Sequence, residues 1–399
     1  MTGPFRFTAT PPLSLYIHFP WCVRKCPYCD FNSHAVKDEL PEDAYIDALL
    51  RDLEQELPSV WGRTVQSVFM GGGTPSLFSP ASLDRLLAGV RARLPLKPDA
   101  EITLEANPGT VEQSRFEGYR EAGINRLSVG VQSLNPDHLK ALGRIHSAEE
   151  ARHAVEAARR AGFDNINLDL MFGLPLQTVG QALDDLDALI ALQPDHISWY
   201  QLTLEPNTLF YTQRPPVPDD DARCAMQEQG QARLADAGYA QYEVSAYTRP
   251  GHQCRHNLNY WEFSDYIGIG AGAHGKISDA ARGTITRRWK KRHPKDYLAA
   301  LQDGCFTDGE HELEQREAVF EFALNRLRLK APFTLDTFEA ATGLPTSCIQ
   351  PQIEHARDNS LLDFDGKQVK HTSTGWQFLD NLVELFLPGE VDHAGDCSH

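Results

Sequence analysis

The chain has 399 residues, of which 41% are apolar and 23% charged, close to the globular average, so a disordered or fibrous protein is excluded. Its net charge of −17 excludes a broad nucleic-acid-binding face, which needs clustered cations. At about 150 residues per domain the length suits two to three domains, or one barrel-sized unit with a smaller companion.

The first residues, MTGPFRFTATPP (1–12), lack a charged start followed by an apolar stretch, and read as an N-terminal tail rather than a signal peptide. No apolar run approaches the roughly 18 residues of a membrane span, so we expect a cytoplasmic protein. Six β-branched runs follow: SLYIHF (14–19), VQSVFMG (65–71), EITLEAN (101–107), RLSVGVQS (126–133), NINLDLMFG (165–173) and HISWYQLT (196–203). Amphipathic stretches such as AYIDALLRDLEQEL (44–57) and SAEEARHAVEAARRAG (147–162) lie between them. Strand and helix in alternation predict an α/β fold with a parallel sheet, covered outside by helices. A partial barrel of six βα units over 13–240 is favoured over a doubly wound sheet. Polar or special residues sit near nearly every strand end: glycines 71–73, Glu105, Asn107, Gln132, Asp169 and Gln201. Parallel α/β folds build ligand sites there.

EPNTLFYTQRPPVPDDD (205–221) reads as a loop entering a helix. The aromatic, Gly-rich segment 241–305 is expected to close the site. Its basic run RRWKKRH (287–293) is by default a solvated loop. A helical pattern restarts with HELEQREAVFEFALNRLRLK (311–330). Helices at 334–343 and 346–358, a hairpin at 361–372 and a final helix through Phe386 complete a small winged-helix-like α+β domain over 306–388. Arg357 stands beside Glu354 and Asp358, so this module is a poor DNA reader and is read as structural or protein-facing. Residues 389–399 read as a tail.

Three of the eight cysteines, Cys22, Cys26 and Cys29, crowd into YIHFPWCVRKCPYCDF (16–31). One reading is a redox dithiol, CPYC, in a thioredoxin-like unit; it gives Cys22 no role and leaves the long barrel pattern unexplained. A second is structural zinc, which wants four ligands, with only His18 or His34 at hand to complete a set. The third is an iron–sulfur cluster. Three thiolates on a four-iron cluster leave one iron open, and an open metal position is what catalysis needs.

C-x3-C-x2-C after the first strand, with GGGTPS (71–76) after the second, resembles the radical S-adenosylmethionine superfamily over roughly residues 13–277. YIHFPWC, GGGTPS, HNLNYW (256–261) and GIGAGAHG (268–275) are similar to the oxygen-independent coproporphyrinogen III oxidase group, and within it to the haem-chaperone branch. The resemblance implies a [4Fe-4S] cluster on Cys22, Cys26 and Cys29, whose open iron binds the amino and carboxylate groups of S-adenosylmethionine. It implies Tyr28 at the adenine, Tyr16 near the methionine, and Gly72, Gly73 and Thr74 at the amino group. Glu105, Gln132, Arg144 and Asp169 are implied as further cofactor contacts, Arg144 through a charge-assisted bond to the carboxylate, with GIGAGAHG on the far side of the site.

The resemblance also implies haem as cargo. His256 is its candidate iron ligand, Tyr260 and Trp261 are flat walls, and the run 287–293 is a source of cations for propionates. A lone histidine beside aromatics is equally the pattern of a packed core residue, and His18 and His34 are next in line. The implied partners are respiratory or storage haemoproteins and a low-potential electron donor such as flavodoxin or ferredoxin. The alternative is oxidative decarboxylation of coproporphyrinogen III, or another radical modification. Phe31 stands where those oxidases carry a further cysteine, and only 21 residues precede Cys22; both departures favour the chaperone branch.

Overall fold

The computed structural model describes residues 3–37, 39–109 and 113–388; the expected tail at 389–399 lies outside them. Six strands form where the β-branched runs stand: β1 (Leu13–Phe19), β2 (Val65–Gly72), β3 (Leu96–Ala106), β4 (Arg126–Gln132), β5 (Ile166–Phe172) and β6 (His196–Gln201). Each pairs in parallel with the next. β4 is buried at every position, as a strand covered on both faces must be. The intervening helices begin on caps visible in the sequence. Ser79 caps Pro80–Arg91, and Ser147 with Glu150 and Thr178 with Gln181 form capping boxes ahead of Ala148–Arg160 and Val179–Ile190. Leu15, Val68, Leu104, Leu127, Leu168 and Ile197 anchor the core between helices and sheet.

Beyond β6, β7 (Ala240–Glu243) and β8 (Ala246–Thr248) add antiparallel edges. The aromatic, Gly-rich segment then supplies an unexpected further parallel strand. β9 (Asp265–Ile269) pairs with the other side of β1, placing Gly268 opposite Tyr16. Five residues that include a glycine carry little strand signal, which is why composition hides it. β10 (His274–Asp279), β11 (Thr284–Lys290) and β12 (Thr307–Glu312) extend that edge in antiparallel fashion. The sheet is 12-stranded and open, its order running from β12 to β7, as a partial barrel requires.

Three expectations need correction. The basic run is no solvated loop, because most of it is β11 and its strand cations are neutralised. Arg287 pairs with Glu321, Arg288 with Glu56 and Glu310, and the buried Lys290 with Asp52 and Glu56. The helix expected from 311 begins at Gln315, since Thr307–Glu312 is still sheet. The segment read as an N-terminal tail is built in. Phe5 is buried in the second core with Phe263, Phe322, Phe338 and Ile353, and the Arg6 N–H donates to the Gly343 carbonyl at 2.6 Å.

The C-terminal module runs helix Gln315–Arg326, strand Phe333–Thr334, helices Leu335–Thr342 and Gln350–Asp358, then strands Leu362–Phe364 and Gln368–His371. Its strands form a 3-stranded sheet, in the winged-helix order expected. Two short helices, Ser373–Gln377 and Leu379–Glu384, stand in place of one final helix. No helix among the described residues is long and apolar enough to cross a membrane.

Candidate functional site

The C-terminal ends of the parallel strands surround a cavity of about 450 Å³. The cysteine loop leaves β1 and covers one side of it. Trp21 and Cys22 pair with His34 and Ala35 to close the loop's base. The Asn32 amide donates to the carbonyls of Ala271 at 2.9 Å and Arg292 at 2.8 Å, and the Phe210 N–H donates to the Pro27 carbonyl at 2.9 Å. Cys22, Cys26 and Cys29 are free thiols, partly exposed, and all line the cavity. Burial pushes the Cys22 and Cys29 thiols up. A thiolate desolvated this way wants a cation beside it, which a bound metal supplies.

Gly72 and Gly73 bring backbone to the opposite wall. Gly72 has φ +111°, and a Cβ there would lie 2.4 Å from the His18 ring; one on Gly73 would lie 2.5 Å from the Trp21 carbonyl oxygen. Only glycine satisfies both. The Gly72 N–H donates to Glu105 Oε2 at 3.0 Å. Asn107 donates to Thr74 Oγ1 at 3.0 Å and accepts from Arg144 Nη2 at 2.7 Å. The same Nη2 reaches the Gly130 carbonyl at 2.7 Å, while Nη1 points to Cys26 Sγ at 3.8 Å. Gln132, with φ +68°, accepts from the Tyr200 hydroxyl at 2.8 Å. A left-handed non-glycine residue at a strand end stores backbone strain of the kind found at binding sites. Asp169 accepts from Asn167 at 2.7 Å. Burial, with Asp169 nearby, pushes the Glu105 carboxyl up to about 7, and burial pushes Asp169 up as well.

The structure therefore gathers Cys22, Cys26, Cys29, Tyr28, Gly72, Gly73, Thr74, Glu105, Gln132, Arg144 and Asp169 around one cavity. Tyr16 does not line that cavity. Its hydroxyl donates to His18 Nδ1 at 2.9 Å, and its ring lies against Phe69 and His256. GIGAGAHG does not line the cavity either; Gly270 packs on the His18 backbone and Gly272 on the Asn32 amide, so the segment supports β1 and the cysteine loop from behind. Asn107, Ser128 and Tyr200 also line the cavity, beyond the contacts that the resemblance implies. Ser128 had a signal, because Ser128, Gly130 and Gln132 alternate along β4 and so share one face.

The haem candidates lie elsewhere. His256 is 1% exposed, with Nδ1 bonded to Ser67 Oγ and Nε2 to the Tyr260 hydroxyl, each at 3.0 Å. Burial pushes its pKa down to about 3. It is a packed core imidazole with both nitrogens engaged, not a ligand presented to an iron. Tyr260, Trp261 and Arg287 do meet, round a second cavity of about 240 Å³, below the roughly 300–1,000 Å³ of small-molecule pockets. Its cations are already paired, Lys276 with Asp265 and Arg287 with Glu321.

The first cavity suits an iron–sulfur cluster and an amino-acid-bearing cofactor. Among the described residues no three His, Cys, Asp or Glu side chains converge on a point for a single ion. A cubane asks for something else, since each thiolate holds a different iron. Arg144 Nε and Ser76 Oγ are buried without a partner among the described residues and both side chains line the cavity, leaving polar capacity for a bound group.

Comparison with known proteins agrees. Residues 16–189 match the model of the radical SAM superfamily, and residues 313–378 match the HemN C-terminal domain. The chain is 52% identical over 377 residues to the heme chaperone HemW of Escherichia coli, covering 94% of this chain and 98% of that one. It is 35% identical to the heme chaperone HemW of Mycobacterium tuberculosis, over 94% and 95% of the two chains. A bovine relative, radical S-adenosyl methionine domain-containing protein 1, mitochondrial, is 41% identical over 94% of this chain and 87% of its own. The crystal fold of E. coli coproporphyrinogen III oxidase, HemN, superposes with a TM-score of 0.80 over 94% of this chain and 90% of that one, at 24% identity. That last likeness concerns the fold alone, whereas the full-length identities carry the family: the chain belongs to the radical SAM superfamily and, within it, to the HemW family.

Proposed function

We propose that this chain is a haem chaperone, which holds a [4Fe-4S] cluster and S-adenosylmethionine at the mouth of its barrel and delivers haem to recipient haemoproteins. The observation that carries this reading is the 52% identity across 94% of the chain to a protein named for that activity. The cavity supports the cofactor part. Cys22, Cys26 and Cys29 would each hold one iron, leaving the fourth to the cofactor's amino and carboxylate groups. Arg144, fixed by Asn107 and the Gly130 carbonyl, suits a carboxylate. Glu105, tied to Gly72, suits an ammonium, and Asp169 suits ribose hydroxyls. When bound, the cluster supplies one low-potential electron to the sulfonium. Arg24 and Lys25 on the cysteine loop of an otherwise acidic chain suit an acidic donor such as flavodoxin or ferredoxin.

The test is one anaerobically reconstituted preparation, assayed three ways. It should hold about four irons, change its paramagnetic spectrum on adding S-adenosylmethionine, and give a Soret difference spectrum with haem. Coproporphyrinogen III should remain unconverted, because Phe31 replaces the further cysteine of the oxidases. Robust decarboxylation without a Soret shift overturns the chaperone reading in favour of the oxidase.

A further inference from the structure

We propose that the haem iron is taken by Nδ1 of His34, at the base of the cysteine loop. This assignment rests on the haem-chaperone reading. The case begins with Asn32, whose amide nitrogen gives its two protons to the Ala271 and Arg292 carbonyls. Its Oδ1 is therefore the acceptor that faces His34 Nε2 at 3.2 Å. Nε2 carries the proton and Nδ1 keeps its lone pair. Nδ1 has no hydrogen-bond partner among the described residues. A ring steadied by a bond at one nitrogen, with the other left open, is how proteins present imidazole to a metal.

Three other imidazoles of this part of the fold are committed elsewhere. His256 has both nitrogens engaged. So does His18, through the Tyr16 hydroxyl and the Asn32 carbonyl. His293 accepts the Lys295 N–H on Nδ1 at 3.2 Å, so its Nε2 bears the proton. Its ring packs edge-on against His34 at 5.2 Å.

The surroundings suit a flat apolar macrocycle bearing two carboxylates. Phe31, in the same loop, is 58% exposed at the rim of the first cavity. Lys25 donates to the Phe31 carbonyl at 3.2 Å, and Arg292 is exposed beside Asn32. Burial, then His293, with Lys25 and Arg292 adding less, pushes the His34 pKa down, which favours the neutral, ligating form. Neither cation is paired with a carboxylate among the described residues, unlike Arg287, Arg288 and Lys290.

The experiment titrates ferric haem into the cluster-loaded full chain and records affinity and ligand type from the Soret and charge-transfer bands. His34→Ala should weaken haem at least tenfold. His34→Tyr should keep haem but convert the spectrum to that of a tyrosinate-ligated iron, as in catalases, a change that a merely structural role cannot produce. Lys25→Glu with Arg292→Glu should weaken haem several-fold and leave the ligand spectrum unchanged. If His34→Ala disturbs the cysteine loop and loses cluster iron, the tyrosine and charge-reversal variants decide. A histidine-type spectrum in His34→Tyr overturns the assignment, as does unchanged affinity in His34→Ala. If the wild-type protein takes up no haem at all, it is the chaperone reading that fails.

Discussion

At the floor of the barrel, Glu101 accepts the backbone N–H groups of Arg255 and His256 at 3.1 Å each. His256 in turn is bonded to Ser67 and Tyr260, and Ser67 to Ser14 at 2.7 Å. At the mouth the same residue types are arranged with capacity to spare. The Arg144 Nε and Ser76 Oγ are unpartnered among the described residues, the Glu105 and Asp169 carboxyls are both pushed up, and three thiols are free. Histidine, carboxylate, arginine and cysteine occur at both ends. The floor's His256 and Glu101 are fully engaged, although Arg126 Nε, buried near Glu101 and Cys254, has no partner among the described residues; what sets the mouth apart is its perturbed carboxyls, which in a cleft mark a site.

The comparison breaks most sharply on cysteine. Cys26→Ser should take iron from about four per chain to near none, because one cubane corner loses its thiolate. Cys254, at the floor with its thiol pushed up to about 12 by burial, donates to Glu101 at 3.6 Å, and Cys254→Ser should leave iron loading intact. Iron analysis and the visible spectrum decide; full iron in Cys26→Ser would remove the cluster from the mouth.

His256→Ala should cost about 2–4 kcal/mol, the usual range for emptying a packed core position and orphaning its hydrogen-bond partners. Urea unfolding measures this, and iron loading should not change. The pH dependence gives a second reading. The folded pKa, about 3, lies below the unfolded value of roughly 6.5. The unfolded chain therefore binds the extra proton first. The stability held by neutral His256 is complete above about pH 6.5 and is lost as pH falls from there toward 3. The alanine variant should lose stability less steeply across that window. Identical slopes would mean that His256 is not the buried neutral imidazole described.

At the mouth, Glu105 should show its raised pKa through the cofactor. With a pKa of about 7, the free protein holds this carboxyl partly protonated near neutrality, and an ammonium binds the ionised form. S-adenosylmethionine affinity should then rise as pH increases through 7. Glu105→Gln should flatten that rise and weaken binding by about tenfold, or ~1.4 kcal/mol, without loss of iron. Calorimetric titration at several pH values checks both. A Gln variant with the same pH profile would take Glu105 out of the cofactor contact.

Much of this contrast was legible in the sequence, and the part that was not has a physical reason. Strand ends in a parallel sheet converge, so glycines 72–73, Glu105, Gln132 and Asp169 could be gathered from periodicity and resemblance before any coordinates. Tyr200 escaped because an aromatic inside a strand reads as core; only its bond to Gln132 betrays the polar face. β9 escaped because Asp265–Ile269 is short and interrupted by Gly268. His256 was read toward iron because a sequence lists an imidazole without saying whether its two nitrogens are taken. The basic run at 287–293 misled for the same reason, since Glu56, Glu310 and Glu321 lie far from it in the chain.

The smallest effect is expected at Trp261, and it tests the second cavity. The Arg328 guanidinium sits 4.3 Å from the ring centroid and also pairs with Glu243 at 3.4 Å, so ring and cation together brace helix Arg255–Trp261 against the start of the C-terminal module. Removing the ring forfeits a cation–π contact of about 0.5–2 kcal/mol. Against that, Trp261 Nε1 is buried with no partner among the described residues, and Trp261→Leu relieves that unmet donor. The two partly cancel, and the net loss should be under about 1 kcal/mol, a shift of a few degrees in Tm at most. Haem affinity should be unchanged, because Lys276 and Arg287 beside this cavity are already neutralised and offer no free cation to a propionate. A tenfold fall in haem affinity with an unaltered Tm would invert the comparison: the floor would then hold the ligand, and the pairing of its charges would describe only the haem-free state.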